Sequence, residues 1–312
     1  MMAKELNFDF MKLRNVAMMF SVILLIVSIA SLAIRGLHLG LDFTGGTLLE
    51  VSYQQPANIE DVRSKLEASG FMDSTVQHFG SETDVLIRMA EAYRDTLGAE
   101  VLEALRSGTL NDGKSFNDVE LRRSEFVGSQ VGEELRDQGG LALLMALFVV
   151  MLYVAFRFQF KFSVGAVVAL FHDVVIILGL FSLFQWDFDL TVFAALLAVV
   201  GYSLNDTIVV ADRIRENFRI VRKDDALDII NISLNQTLGR TIMTSLTTAL
   251  VLLALMFLGG ELIHNFALGL FIGVIVGTYS SIYVAANILI MMNISREDLI
   301  PAELEEELDD RP

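Results

Sequence analysis

The chain has 312 residues, 54% of them hydrophobic, and a mean hydropathy of +0.54. Apolar content this high, gathered into long uncharged blocks, excludes an ordinary soluble enzyme, and so many aliphatic and aromatic residues exclude a disordered chain. With 23 Lys+Arg against 39 Asp+Glu and a net charge of −16, a nucleic-acid binder is excluded, and with no cysteine so are disulfides and thiolate metal sites.

A helix needs about 20 apolar residues to cross the hydrocarbon core of a bilayer. After an N-tail, residues 1–15, the first qualifying segment is Val16–Ile34, residues 16–34, which is uncharged throughout. Its run is too long for a signal-peptide core and no A-x-A site follows, so it reads as a retained span. Residues 35–138 change to a soluble pattern. Thr47–Tyr53 reads as a strand, Asn58–Ser69 as a helix with Ile59, Val62 and Leu66 on one face, and Gly70 as its end. Thr75–Phe79 and Asp84–Met89 read as strands joined by a turn at Gly80–Thr83. Tyr93–Arg106 repeats the helical period, followed by Gly108, and Asp118–Phe126 reads as a last strand. The order βαββαβ predicts a ferredoxin-like domain.

Five more spans fill residues 139–294: Gly139–Phe156, Ser163–Phe184, Leu190–Ala211, Thr241–Gly260 and Phe266–Ile294. Between the fourth and fifth, within 212–240, Asp224–Leu238 places Leu227, Ile230, Leu234 and Leu238 on one side, which predicts an amphipathic stretch lying along the membrane interface. Residues 295–312 form an acidic tail, Glu303 to Asp310. The fold class is therefore an α-helical polytopic membrane protein, with six transmembrane helices and an α+β extracytoplasmic domain between the first and second.

Orientation follows from basic residues in short loops. Lys4, Lys12 and Arg14 flank the first span. Arg157 and Lys161 lie between spans two and three, Arg213, Arg215, Arg219, Arg222, Lys223 and Arg240 between four and five, and Arg296 and Arg311 in the tail. The opposite loops, Gln185–Asp189 and Glu261–Asn265, have none. Both termini are expected in the cytoplasm and residues 35–138 outside.

The outer segment carries no catalytic grouping. His78 stands alone, so a solvent-facing strand residue outweighs a metal ligand. Asp42, Gly45 and Gly46, in Asp42-Phe-Thr-Gly-Gly46, lack the Lys-Ser/Thr of a phosphate loop and read as a tight turn before the first strand. No metal site, cofactor or enzyme activity is expected.

Ionisable groups inside a span are expensive, so each is a functional candidate. Asp206, preceded by Asn205, lies about 7–8 Å inside span four at about 1.5 Å per residue. It continues a small-residue stripe through Ala194, Ala198 and Tyr202. Arg240 opens span five at the same level, so an antiparallel neighbour would bring it near Asp206. Burial favours the neutral acid and a guanidinium the anion, which suits a carboxyl that takes up and releases protons; a static ion pair fixing helix packing is the other reading. His172 and Asp173 sit mid-span but point about 100° apart, so they are not expected to face one partner; Asp173 is a second polar site or a helix-to-helix contact. Gly269, Gly273 and Gly277, continued by Ser281 and Ala285, form a small-residue ladder that either packs this chain's helices or docks another subunit.

Four stretches together resemble the SecF branch of the SecD/SecF family: Gly40-Leu-Asp-Phe-Thr-Gly-Gly46; His172-Asp173; Gly201-Tyr-Ser-Leu-Asn-Asp-Thr-Ile-Val-Val210 with Asp212-Arg-Ile-Arg-Glu-Asn217; and Arg240-Thr-Ile-Met-Thr-Ser-Leu-Thr-Thr248. The resemblance covers nearly the whole chain. It implies one six-span half of a proton-driven assembly of the resistance-nodulation-division (RND) superfamily, with SecD supplying the other half. It also implies the bacterial plasma (inner) membrane, the SecYEG channel, YajC and a translocating preprotein as associates, and protons as the coupling ion. By that resemblance Asp206 transfers protons, Arg240 is its partner, Thr244 is a pathway hydroxyl, and Asn205 belongs to the same proton-transfer set. The rivals are a half-size exporter of lipid or small hydrophobic molecules and a non-conducting scaffold.

Overall fold

The computed structural model describes residues 8–72, 74–89, 94, 96–106, 119–221 and 225–299. The predicted features at Lys4, Tyr93, Gly108, Asp118, Arg222, Lys223, Asp224, Arg311 and Glu303 to Asp310 lie outside them.

After a short turn at Met11–Leu13, α1 runs Arg14–Arg35 and stops at Gly36, whose φ of 67° a side chain would disfavour. Then come β1 (His38–Leu39), the one-turn α2 (Leu41–Thr44) and β2 (Gly46–Tyr53). Gly45 and Gly46 have φ of 69° and 116°, so the turn expected there is present, wound on one helical turn.

The α+β domain continues with α3 (Ile59–Ala68), β3 (Ser74–Phe79), β4 (Ser81–Met89), α4 (Leu97–Arg106) and β5 (Val119–Val127). Asn58 caps α3 by accepting from the Glu60 N–H. The sheet order β3-β4-β2-β5, antiparallel at every pairing, is the ferredoxin-like arrangement. Period-two alternation turns Leu49, Val51 and Tyr53 inward with Val85, Ile87 and Met89, where Val62 and Leu66 of α3 and Val101 and Leu105 of α4 cover them. The predicted turn at Gly80–Thr83 shrinks to Gly80, because β4 begins at Ser81. His78 is exposed on β3, as a solvent-facing strand residue.

Within this domain the Asp84 carboxyl is held below its usual range, first by a hydrogen bond from Ser52, then by Ser81 and the Arg122 guanidinium, against the opposing pull of burial. A depressed carboxyl stabilises the fold above its unfolded pKa of about 3.9, and that contribution disappears as pH falls through the lower folded value. Thermal unfolding of the domain in the intact protein should show an acid limb below about pH 4. Asp84→Asn should flatten it; an identical acid limb in the variant would contradict this.

Five membrane helices follow. They are α5 (Ser129–Arg157), α6 (Phe160–Phe184), α7 (Leu190–Ile220) after the two-residue β6 (Asp187–Phe188), α8 (Ala226–Leu258), and α9 (Glu261–Ser280), which passes through a π-helical turn, Ser281–Ala285, into α10 (Ala286–Met291). With α1 this gives six segments long and apolar enough to cross a membrane. Wide exposed apolar faces on α5 (Leu141, Leu144, Phe148) and α8 (Ile242, Leu246, Leu250) suit contact with lipid.

The helices outrun the apolar blocks that announced them. The polar residues from Gln130 to Gln138 open α5 rather than close the domain, and Glu261–Asn265 is the first turn of α9 rather than a loop. The largest departure is at 212–240, where the described residues contain no separate interfacial helix. Residues up to Ile220 extend α7, and from Ala226 onward they are the start of α8. The apolar side predicted to meet the interface packs on protein instead: Ile230 and Leu234 are buried against Ile214 and Phe218, and Leu227 packs at the edge. Asn217 donates to Ser233 (2.8 Å) and Gln236 (2.7 Å), and Arg213 to Gln236 (2.7 Å), tying the two extensions together. An amphipathic pattern reports that one face is covered, not by what.

Candidate functional site

α9 lies against α7 along the glycine ladder. A Cβ on Gly273 would sit 2.1 Å from Val199 Cγ2, one on Gly277 3.0 Å from Ser203 Cβ, and one on Gly269 3.6 Å from both Ala195 and Phe181. The ladder thus packs this chain's own helices. At Ala285, the last residue of the π turn, the carbonyl faces Gly165 of α6 at 3.1 Å from where a Cβ would stand. One row of small residues therefore serves two neighbours, α6 and α7.

This close approach brings hydroxyls onto two buried carboxylates. Asp206 on α7 is 7% exposed; Thr241 of α8 donates to its Oδ1 (2.8 Å) and Ser281 to its Oδ2 (2.9 Å). Asp173 on α6 is wholly buried. Ser203 of α7 and Ser280 of α9 donate to its Oδ2 at 2.5 and 2.8 Å, and His172 Nδ1 lies 2.9 Å from its Oδ1. Three helices thus converge on one acid and three on the other. Hydroxyl donors stabilise a carboxylate, yet each can turn to accept from the protonated acid, so both charge states are served without rebuilding the site.

Several sequence expectations change here. Arg240 stands near enough for its charge to act on Asp206, as expected, but it is exposed and forms no ion pair with it among the described residues; its neighbour Thr241 faces inward. The level along α8 was readable, but adjacent residues point about 100° apart and rotation decided which one entered. Thr244 returns its hydroxyl to Arg240 O and Thr241 O (both 3.0 Å), and Asn205 is exposed, so neither joins the cluster. Ala194 and Ala198 are exposed too, and Asp206 instead shares the buried face of Val199, Ser203 and Val210. His172 and Asp173 face different partners, as expected, and also contact each other. The imidazole stacks on Tyr279 (6.2 Å between centroids), whose hydroxyl donates to Ala17 O of α1 (2.6 Å).

Thr241 and Ser203 lie inside two of the stretches that carry the resemblance but have no role there, Ser280 lies in none of them, and Ser281 enters only as a packing residue. The available signal was position: Thr241 follows Arg240, and Ser203 lies one turn from Asp206.

A second cluster joins the domain to the helices. His38–Leu39 pairs in parallel with Asp187–Phe188, His38 Nδ1 lies 2.6 Å from Asp187 Oδ1, and Gly40 N donates to Phe188 O (2.8 Å). Asp42 Oδ2 accepts from Leu190 N (3.0 Å), and Asp189 Oδ1 from Val192 N (2.8 Å), so two carboxylates cap α7. Burial pushes the Asp189 carboxyl up and the Asp42 charge adds to this, against hydrogen bonds from Val192 and Thr191. From the sheet, Arg88 donates to Leu39 O (2.8 Å) and to Thr44 Oγ1. A Cβ on Gly40 would fall 2.9 Å from Asp189 Cβ, and one on Gly132 of α5 2.9 Å from Gly45 N, which is why this junction is rich in glycine. A cavity of about 650 Å3 opens beside it, lined by His38, Asp42, Gln77, Arg88, Asp187 and Asn265 among others.

Two family models match the chain: the SecD/SecF GG motif over residues 30–57, which contains His38, Gly40, Asp42 and Gly45 of this junction, and the C-terminal region of the protein export membrane protein SecD/SecF over residues 109–295, which contains both acids. The protein translocase subunit SecF of Pseudomonas aeruginosa is 51% identical over 304 residues, covering 97% of each chain. This chain belongs to the SecF family. The Vibrio alginolyticus SecF is 50% identical over 306 residues, covering 97% of this chain and 95% of the relative. The crystal structure of SecDF, a translocon-associated membrane protein from Thermus thermophilus, superposes with a TM-score of 0.83 at 38% identity, over 94% of this chain and 40% of the other. SecDF in its super-membrane-facing form gives 0.68 at 37% identity over the same shares. The SecF-type chain thus spans 40% of the length of those SecDF chains.

Proposed function

We propose that this SecF-type chain is the membrane subunit of a SecD–SecF auxiliary complex that uses proton flow to drive late steps of preprotein export. The observation that carries the reading is Asp206, a carboxyl buried in a span and held by two hydroxyls rather than by a cation. A carboxyl so placed changes charge without breaking an ion pair, and moving one charge across the membrane potential releases about 2.3 kcal/mol per 100 mV. Arg240, at the same level but outside the cluster, is the counter-charge available when α8 turns; a guanidinium keeps its proton and so does not carry one.

The 40% coverage of SecDF supports SecD as the partner supplying the remaining spans. The SecYEG channel, YajC and the preprotein are the further associates in this reading. The basic loops support both termini in the cytoplasm and the α+β domain on the outer face of a bacterial inner membrane. Protons are the coupling ion, with no other cofactor and no enzymatic step.

The test is Asp206→Asn, followed by export of a secreted reporter with and without a proton gradient. The gradient-dependent component should fall at least tenfold while complex assembly stays intact. Unchanged export would favour a scaffold, and normal secretion with lost efflux of lipid or drug would favour a half-size exporter.

A further inference from the structure

We propose that Asp173 is a second proton-exchanging carboxyl, coupled to Asp206 through the adjacent serines Ser280 and Ser281 at the point where α9 turns into the π-helical segment. This rests on the reading of Asp206 as a proton site and extends it to a group which that reading leaves idle.

Each serine has two acceptors for its one proton. Ser280 Oγ is 2.8 Å from Asp173 Oδ2 and 3.1 Å from Gly277 O; Ser281 Oγ is 2.9 Å from Asp206 Oδ2 and 3.0 Å from Thr278 O. With the carboxylate ionised, its serine donates to it. With the acid protonated, the carboxyl O–H donates to the serine, which turns its own proton to the carbonyl three residues back. The protonation of each acid is thereby written into one turn of α9, residues 277–281.

That turn is where the regular helix ends. Gly277 O also accepts the Ser281 backbone N–H, and from Ser281 the chain is π-helical to Ala285. A proton on Asp173 therefore adds a second hydrogen bond to a carbonyl that positions Ser281, the donor to Asp206. Isolated π turns inside α-helices recur at functional sites because their extra residue is held by few bonds and shifts readily.

The surroundings of both acids are accounted for. Asp173 meets His172 from its own helix, Ser203 from α7 and Ser280 from α9; Asp206 meets Thr241 from α8 and Ser281, with Arg240 the nearest cation on α8. Among the described residues His172 Nε2 is buried without a hydrogen-bond partner, so the ring meets this network through Nδ1 alone. Only O–H bonds form and break: each carboxyl takes its proton from water and returns it to water.

The experiment is an infrared pH titration of the full chain, co-purified with its partner in lipid vesicles. Carboxyl bands are assigned by Asp206→Asn and Asp173→Asn. Two titrating bands are expected. Asp173→Asn should displace the midpoint of the Asp206 band by tenfold or more in proton concentration; Ser280→Ala should displace it in part, and Ser280→Thr, which keeps the hydroxyl, should restore it. An Asp206 midpoint unmoved within twofold by Asp173→Asn overturns the coupling and leaves the Asp206 reading standing. The absence of any titrating band at Asp206 overturns both. If Asp173→Asn does not assemble, the contrast between Ser280→Ala and Ser280→Thr decides alone: equal midpoints in the two variants and the parent refute the proposal.

Discussion

Replacing Gly179 by leucine is expected to detach α1 from the bundle. Even the first carbon of a side chain at this position would lie 2.1 Å from Ser28 Cβ and 2.5 Å from Ser28 Cα, and the second of these is backbone that cannot rotate away. The contact is the centre of how α1 is held. Its buried residues are Ser21, Ser28 and Ser31, and the Ser31 hydroxyl lies 2.9 Å from that of Ser182, one turn from Gly179. A lipid-exposed helix gains little from burying apolar surface against another helix, so close backbone approach and such hydroxyl pairs supply the association. Forcing the helices apart should cost about 3 kcal/mol or more for leucine, and somewhat less for alanine. The readout is the thermal midpoint in detergent together with protease sensitivity of the segment after α1. Gly201→Ala, where an added Cβ meets nothing within 4 Å, is the control and should be neutral or slightly stabilising. A Gly179→Leu protein that melts with the parent would show that α1 is not held there.

Asp173→Leu should be the most damaging exchange among the buried polar residues. The leucine fits a helix and a membrane, so a loss would come from what it strands. His172 Nδ1 and Ser203 Oγ would each lose a partner in a wholly buried site, while Ser280 would fall back on Gly277 O. Two stranded groups predict a loss of about 2–4 kcal/mol. Asp173→Asn keeps an acceptor for the serines and should lose less than half of that. Equal stability of the two variants, measured by unfolding in lipid-like detergent, would show that the carboxylate's acceptors are not what holds these three helices.

What could be read in the residues, and what could not, divides along one physical line. Length, hydropathy and alternation are one-dimensional quantities, and they located six spans, the sheet strands and both buried acids. Rotation about a helix axis is set by partners, and there the reading slipped. The spacing puts Arg240 level with Asp206 but does not show that Thr241 is the residue turned onto it, and the i+4 stripe groups Asp206 with Ala194 and Ala198, which are exposed. The π turn adds a further obstacle, because a ladder counted in fours from Gly269 to Ala285 crosses a stretch that does not follow the α-helical period. Likewise Leu227, Ile230 and Leu234 announced a covered face correctly, but only the fold says that the cover is the extension of α7.

The rivet between Asp42, Asp189 and the first turn of α7 has a mechanical consequence. Asp206 lies sixteen positions along from Leu190, a lever of about 24 Å at about 1.5 Å per residue. A tilt of about 5° pivoting at the acid would carry the helix tip on the order of 2 Å sideways, by the same length. Because His38, Gly40 and Asp42 are bonded to that tip and Arg88 grips the other side of the same segment, the sheet would travel with it rather than be left behind. Any stroke passed from Asp206 to the domain would thus be geared by the distance between an acid and a helix cap, and lengthening or shortening α7 above Asp206 would change the gear ratio.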